Sequence, residues 1–311
     1  MFPICAVTFR LVPSPIGGVD VEKAISSLSV MKEKTGANTA VIAFIAYQDT
    51  PQSTVIDRGA VTMPTDAQLT QIIDAAHALG LGVVLKPMVN CKNGIWRAYI
   101  DFFDRDVPGE ATWTEWFDSY GEYMLHYAAV AQKTGCEMLL AGCELVMSER
   151  QERHWRALIK KLRAVYGGLI SYNTDKYQED VIGWWDEVDV MSSSGYYPSG
   201  RWEENLERIS RAAEKFGKPF FFAECGCPCR KGSENCPNNW EFQGEFDLET
   251  QRKWYEEMFT KCENHKIVEG FACWDWLSDL DLELKQPDGY GICGKPACET
   301  VRLNYQKLLD K

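Results

Sequence analysis

Residues 39–89 read TAVIAFIAYQDTPQSTVIDRGAVTMPTDAQLTQIIDAAHALGLGVVLKPMV. Two apolar runs rich in β-branched residues, Thr39–Tyr47 and Gly82–Val89, enclose an amphipathic stretch that opens at Asp66 and stops at Gly80. Apolar residues three and four apart make the middle a helix, and the short continuous apolar runs make the flanks buried strands. A strand, a helix and a strand joined in this way become parallel neighbours with a crossover.

The same unit recurs outward in both directions. Upstream lie a strand at Ile4–Phe9 and a helix at Val21–Thr35. Downstream, an aromatic helix from Thr112 to Thr134 leads to a fourth strand, CEMLLAG, and a helix from Ser148 to Val165. A fifth strand, LISYN, precedes a short helix that includes Trp184 and Trp185. A sixth strand, VDVMSSSGY, is followed by a helix at Trp202–Phe216, and a seventh, PFFFAEC, by a helix at Leu248–Asn264. VEGFACWDW is the eighth strand, and a helix at Cys298–Leu309 closes the series. Eight such units in 311 residues predict a single α/β domain over residues 1–311, a closed (β/α)8 TIM barrel. No GxGxxG turn follows the first strand, which disfavours an open dinucleotide-binding sheet. The two long loops, 90–111 and 226–247, both follow strand C-termini, where barrels place their sites.

Composition narrows the function. A net charge of −12 argues against nucleic acid and against an anionic lipid surface as partners. No run approaches the ~18 apolar residues of a membrane span. The start, MFPICAVTFR, lacks a basic segment followed by a long apolar one, so the expected location is cytoplasmic. In that setting most of the 12 cysteines are expected to be reduced, buried small hydrophobes. The cluster Cys225, Cys227, Cys229 and Cys236 also suggests a structural metal or a disulfide, although its spacing is not that of a zinc knuckle. Most of the 11 Trp should be core.

Two carboxylates stand out by position. Glu144 ends strand four in LLAGCEL, and Glu224 ends strand seven in FFFAECG. Each follows an apolar run, so each should stand at the rim of the barrel, where a charge is costly unless it is used or paired. Strands four and seven are opposite one another in a ring of eight, so the pair can flank a substrate. Glycosidic bond cleavage needs that arrangement, with one carboxylic acid protonating the leaving oxygen while the other attacks the anomeric carbon or activates water. Such chemistry needs no cofactor and no metal. The four histidines, His77, His126, His154 and His265, fall on helices or connections, which leaves Cys143 without a partner for nucleophilic catalysis.

The segments around the pair resemble glycoside hydrolase family 113, the β-mannanase family of clan A. The matching stretches are KPMVNCKNGIWRAYI, WTEWFDSYGEYMLHYA, AGCEL, WRALIKKLRAVYGGLISYN, DVMSSSGYYP, GKPFFFAECG, GFACWDW and GKPA. The resemblance implies a retaining hydrolase of β-1,4-mannosidic bonds, with Glu144 as acid/base and Glu224 as nucleophile. Glu144 is then expected to hold its proton near neutral pH, and Glu224 to be ionised and to accept hydrogen bonds, Tyr196 or Tyr197 being the donor. Trp274 resembles the tryptophan that floors the subsite beside the nucleophile. Lys86, Asn90, Trp96, Arg97, Asn173 and Asp175 would contact sugar hydroxyls, and Trp240 an outer subsite. Cys143 departs from the clan, which commonly has Asn there to meet the sugar 2-hydroxyl. The implied partner is a β-linked oligo- or polysaccharide. Two alternatives stay open: a clan A hydrolase of xylan or β-glucan, and a non-catalytic carbohydrate-binding barrel. A barrel for phosphorylated metabolites would want a glycine-rich loop near strands seven and eight, where ECGCPC and CWDWLSD stand instead. Oligomeric state is not encoded in any of these features.

Overall fold

The computed structural model describes residues 3–285 and 287–311. Eight parallel strands close into a barrel in chain order: β1 (Ile4–Arg10), β2 (Thr39–Gln48), β3 (Gly82–Cys91), β4 (Met138–Cys143), β5 (Leu169–Thr174), β6 (Val190–Ser194), β7 (Phe220–Cys225) and β8 (Val268–Leu277). Around them lie α1 (Val21–Thr35), α2 (Asp66–Ala78), α3 (Trp113–Thr134), α4 (Glu152–Arg163), α5 (Trp202–Phe216), α6 (Leu248–Cys262), the single turn α7 (Leu280–Glu283) and α8 (Pro296–Leu309).

The helices begin where local chemistry starts them. Thr65 with Gln68, and Thr112 with Glu115, form capping boxes at the starts of α2 and α3, each side chain answering the other's orphan N–H. Asp20 caps α1 in the simpler way. One expected helix is absent. Between β5 and β6 the chain makes only a 3-10 turn, Trp185–Glu187. Trp184 and Trp185 are fully buried there and donate to the carbonyls of Glu149 and Glu179, so two indoles fill the layer that a helix would occupy.

The core has two layers. Inside the barrel, Ile4, Ala6, Val41, Val84, Met138, Leu140, Val190, Phe221, Ala223 and Ala272 interdigitate. A larger layer lies between strands and helices and holds most of the aromatic residues; seven of the 11 Trp are fully buried. Only Trp96 and Trp240 are substantially exposed. Both lie in loops that follow strand C-termini, so the surplus of aromatics at the surface is confined to the barrel mouth.

Strand alternation breaks at two places that matter. Against β5, Leu140 pairs with Ser171 and Cys143 with Asn173, so β4 spends three residues where β5 spends two. Against β6, Phe222 pairs with Ser193 and Glu224 with Ser194, so β7 carries one residue more than its neighbour. Each bulge turns the residues beyond it by one position and re-aims their side chains.

Closure of the ring depends on β1 lying tight against β8. Ile4 pairs with Gly270, and a Cβ built on Gly270 would stand 2.2 Å from the Ile4 carbonyl oxygen, a backbone atom that cannot move aside. Gly270→Ala should therefore cost about 3 kcal/mol in urea denaturation, at the upper end of overpacking effects. A loss below about 1 kcal/mol would show that the seam opens easily.

Candidate active site

Glu224 emerges from the bulge of β7 into the barrel mouth and is almost completely buried. Its Oε1 accepts from Lys86 Nζ at 2.5 Å and from the Cys143 thiol at 3.4 Å, and its Oε2 accepts from Tyr196 Oη at 2.8 Å. Burial pushes this carboxyl upward. The charges of Lys86 and Arg97, with the hydrogen bonds from Lys86 and Tyr196, outweigh burial and hold it below the usual glutamate value. Lys86 stands on the inner face of β3, fully buried, and also donates to Asn173 Oδ1 at 2.7 Å.

Glu144 follows β4 directly. Its backbone takes the left-handed region, φ 51°, which few residues other than glycine adopt. Such a conformation persists only where surroundings impose it, and it is often found at functional positions. Here the Glu144 N–H donates to the Asn173 carbonyl at 2.7 Å, which fixes the turn to β5. Three donors hold the side chain: Ser194 Oγ to Oε1 at 2.7 Å, Arg97 Nη2 to Oε2 at 3.0 Å and Trp96 Nε1 to Oε2 at 3.2 Å.

The two carboxylates share their neighbours. Ser194 pairs with Glu224 in the sheet while its hydroxyl binds Glu144. Asn173 accepts from the lysine that binds Glu224, and its main chain accepts from Glu144. Arg97 Nη2 touches Glu144 and lies 3.6 Å from Cys143 Sγ, which in turn touches Glu224. Arg97 itself is oriented by Asn90, whose Oδ1 accepts from Nη1 at 2.6 Å. The result is one polar cluster with a carboxylate on either side.

Aromatic rings bound the cluster. Trp274 is nearly buried at the end of β8, with Lys86 Nζ 5.5 Å from its ring centre. Trp240 meets Trp274 edge-on at 6.0 Å and Tyr290 at 4.3 Å, and Tyr196 meets Tyr290 at 5.9 Å. On the opposite side, Trp96 presents a half-exposed indole next to Tyr99.

Of the sequence-derived candidates, Lys86, Asn90, Trp96, Arg97, Cys143, Asn173, Tyr196 and Trp274 converge with the two glutamates. Tyr197 does not. Successive residues point to opposite sides, and the Tyr197 hydroxyl bonds Glu179 outside the barrel wall, in a network with Ser193 and Arg208. The donor to Glu224 is Tyr196. Cys143 keeps its proton: burial pushes the thiol far up, and the cations Lys86 and Arg97 only oppose that in part. The cysteine cluster forms no disulfide, although Cys229 and Cys236 stay near Cys227. Cys225 faces the Ala272 carbonyl, Cys227 faces Ser233, and all 12 cysteines are free thiols. Among the described residues no three His, Cys, Asp or Glu side chains are placed to hold a metal.

Ser194 and Tyr290 were not singled out from the sequence. Three consecutive serines sit in β6, and only strand alternation separates Ser193, which faces Glu179, from Ser194, which faces Glu144. Tyr290 follows a loop with no periodicity to read. Burial of an acid is not itself the mark of the site: Glu149, behind β5, is pushed up to about 8 by burial despite hydrogen bonds from Thr174 and Tyr172.

The Lys86–Glu224 pair makes a testable demand on stability. A carboxyl held below its unfolded value stabilises the fold above that value and ceases to do so as pH falls through the folded one. Lys86→Met should cost about 3–5 kcal/mol at neutral pH, as for other buried pairs that lose one partner. The difference should narrow as the pH is taken from neutral to acid, where the wild-type Glu224 carboxylate takes up its proton. Urea denaturation at neutral and at acid pH measures it, and a pH-independent difference would refute the coupling.

Comparison with known proteins places this geometry in a family. The chain matches the model of Glycoside Hydrolase Family 113 over residues 7–295. No curated protein matches it in sequence. A solved complex of a family 113 β-1,4-mannanase is 45% identical, with a TM-score of 0.95 over 98% of this chain and 99% of that one. The family 113 β-mannanase AaManA from Alicyclobacillus acidocaldarius, in complex with ManMIm, is 36% identical, with a TM-score of 0.91 over 99% of this chain and 98% of that one. A β-D-glucuronidase for Dictyoglomus thermophilum, 15% identical and covered over 51% of its length at a TM-score of 0.67 (99% of this chain), shares the fold alone. From a family match spanning nearly the whole barrel and from these identities, the chain belongs to glycoside hydrolase family 113.

Proposed function

We propose that this chain is a retaining β-mannanase that cuts β-1,4-mannosidic bonds in mannan, glucomannan or manno-oligosaccharides, with Glu224 as nucleophile and Glu144 as acid/base. The reading of the sugar rests on the family and on its β-1,4-mannanase members. The reading of the roles rests on one observation: Glu224 is buried, yet the charges of Lys86 and Arg97 and the hydrogen bonds from Lys86 and Tyr196 hold its carboxyl below the usual glutamate value, while Glu144 faces it across a shared cluster.

In this mechanism a mannosyl unit lies against Trp274 with its anomeric carbon over Glu224. Glu144 gives its proton to the glycosidic oxygen as the bond to that carbon breaks. A Glu224 oxygen forms the new bond, which leaves a glycosyl-enzyme and releases the aglycone sugar as an alcohol. Water then enters. Glu144, now a carboxylate, takes its proton, the hydroxyl adds to the anomeric carbon, and Glu224 leaves as it began. Two inversions give net retention. Tyr196 and Lys86 balance the charge on Glu224 at both ends of the cycle, and Ser194 and Trp96 keep the Glu144 carboxyl aimed. At the position where clan A commonly has Asn, Cys143 is shorter and its neighbours Arg97 and Asn173 supply the polar groups around the 2-hydroxyl.

Proton NMR of manno-oligosaccharide cleavage should show the β-anomer of the product first. Glu144→Gln and Glu224→Gln should each lose about 10²–10⁴-fold or more in kcat, the range expected when an acid/base or a nucleophile is removed. The α-anomer appearing first would overturn the double displacement. Cleavage of xylan or mixed-linkage glucan in place of mannan would overturn the sugar assignment and leave the mechanism standing.

A further inference from the structure

We infer that Asp175 and Lys176 form the polar wall of the subsite that holds the departing sugar, binding its hydroxyls between them. The inference rests on the β-mannanase reading and extends it to the leaving-group side.

Both residues leave β5 beside the Glu144 turn, since the Glu144 N–H is bonded to the carbonyl of Asn173, two positions before Asp175. Both side chains are largely buried, 15% and 13% exposed. Buried charges normally find hydrogen-bonded partners. The other cations of the mouth do: Lys86 donates to Glu224 and Asn173, and Arg97 to Glu144 and Asn90 through its two terminal nitrogens, only its Nε lacking a partner. Asp175 and Lys176 are different. Among the described residues no side chain donates to the Asp175 carboxylate and Lys176 Nζ makes no hydrogen bond; the two approach only to 4.0 Å. Burial first, then the nearby Glu144 charge, push the Asp175 carboxyl up to about 7 against the pull of Lys176.

An acceptor and a donor whose stems are largely buried while their polar atoms stay open to solvent, and which are too far apart to satisfy each other, suit a ligand group that both donates and accepts. A sugar hydroxyl does so, and a neighbouring pair of hydroxyls spans the gap. The segment is also held in place: Tyr177 takes a left-handed φ of 68°, and Lys176 Nζ lies 5.6 Å from its ring centre.

The barrel order says which sugar this is. β4 lies between β3 and β5, so Glu144 has Trp96 from the loop after β3 on one flank and Asp175 on the other. The side of Glu224 is closed by Trp274, Tyr196 and Tyr290. The group that receives the Glu144 proton therefore departs between an aromatic bank, Trp96 with Tyr99, and a polar bank, Asp175 with Lys176.

The test compares two substrates with the same glycone. One is mannotetraose, whose leaving group is a sugar. The other is an aryl β-mannobioside, whose leaving group has no hydroxyls to bind. Asp175→Asn and Lys176→Met should each lower kcat/KM on mannotetraose by about tenfold to a hundredfold, the value of a hydrogen bond to a charged group. On the aryl substrate each should lose less than about threefold, a small fraction of that bond's worth. Turnover of the aryl substrate also reports that the variants are folded. Equal losses on both substrates, or none on mannotetraose, would overturn the assignment while leaving the β-mannanase reading intact. Wild type inert on both substrates would overturn that reading and this inference with it.

Discussion

The Lys86–Glu224 ion pair is the constraint around which the barrel mouth is arranged. Each ion costs several kcal/mol to remove from water, and mutual attraction offsets that cost only when the remaining donors and acceptors are also met. Asn173 takes a second proton of Lys86, and Tyr196 and the Cys143 thiol donate to Glu224. Those requirements fix residues on β3, β4, β5 and β7 and at the end of β6 relative to one another. They also explain why a carboxylate so deeply buried stays ionised, which is the state a nucleophile needs.

Around that pair, the rest of the mouth is built from residues that would be poor choices for a core. Glu144 sits at a backbone conformation that favours glycine, and its carboxyl is held by three donors, two from the loop after β3 and one from β6. The aromatic layer behind the sheet supplies the rigidity. On α3, Tyr120 and Tyr123 send their hydroxyls to the carbonyls of Ala141 and Met88, clamping β4 and β3 just below the site. The bulges in β4 and β7 are affordable because this layer holds the strands from outside.

Much of the fold was legible in the chain. Short apolar runs alternating with amphipathic stretches gave all eight strands near their observed limits, because burial on both faces of a barrel strand leaves a strong local trace. The helices were legible where capping residues such as Thr65 and Thr112 mark their starts. The segment around Trp184 and Trp185 misled, since two buried indoles look alike in a helix and in a packed turn. Within the site, Glu144 and Glu224 were readable because a carboxylate after an apolar run is costly. Tyr196 and Tyr197 were not separable, and Ser194 was hidden among three serines, because adjacent residues differ only in which face they point to.

That difference marks the boundary between what the sequence determined and what only the tertiary structure decided. The sequence by itself determined the order of strands and helices, the number of units and the rim position of the two glutamates, all of which follow from local hydrophobic pattern. Only the folded barrel decided which side chains face inward. A shift of one residue reverses every side chain beyond it, and the extra residues in β4 and β7 impose such shifts just before the site. Those bulges exist through pairing with β5 and β6, strands that lie elsewhere in the chain, so no local reading of either strand reveals them.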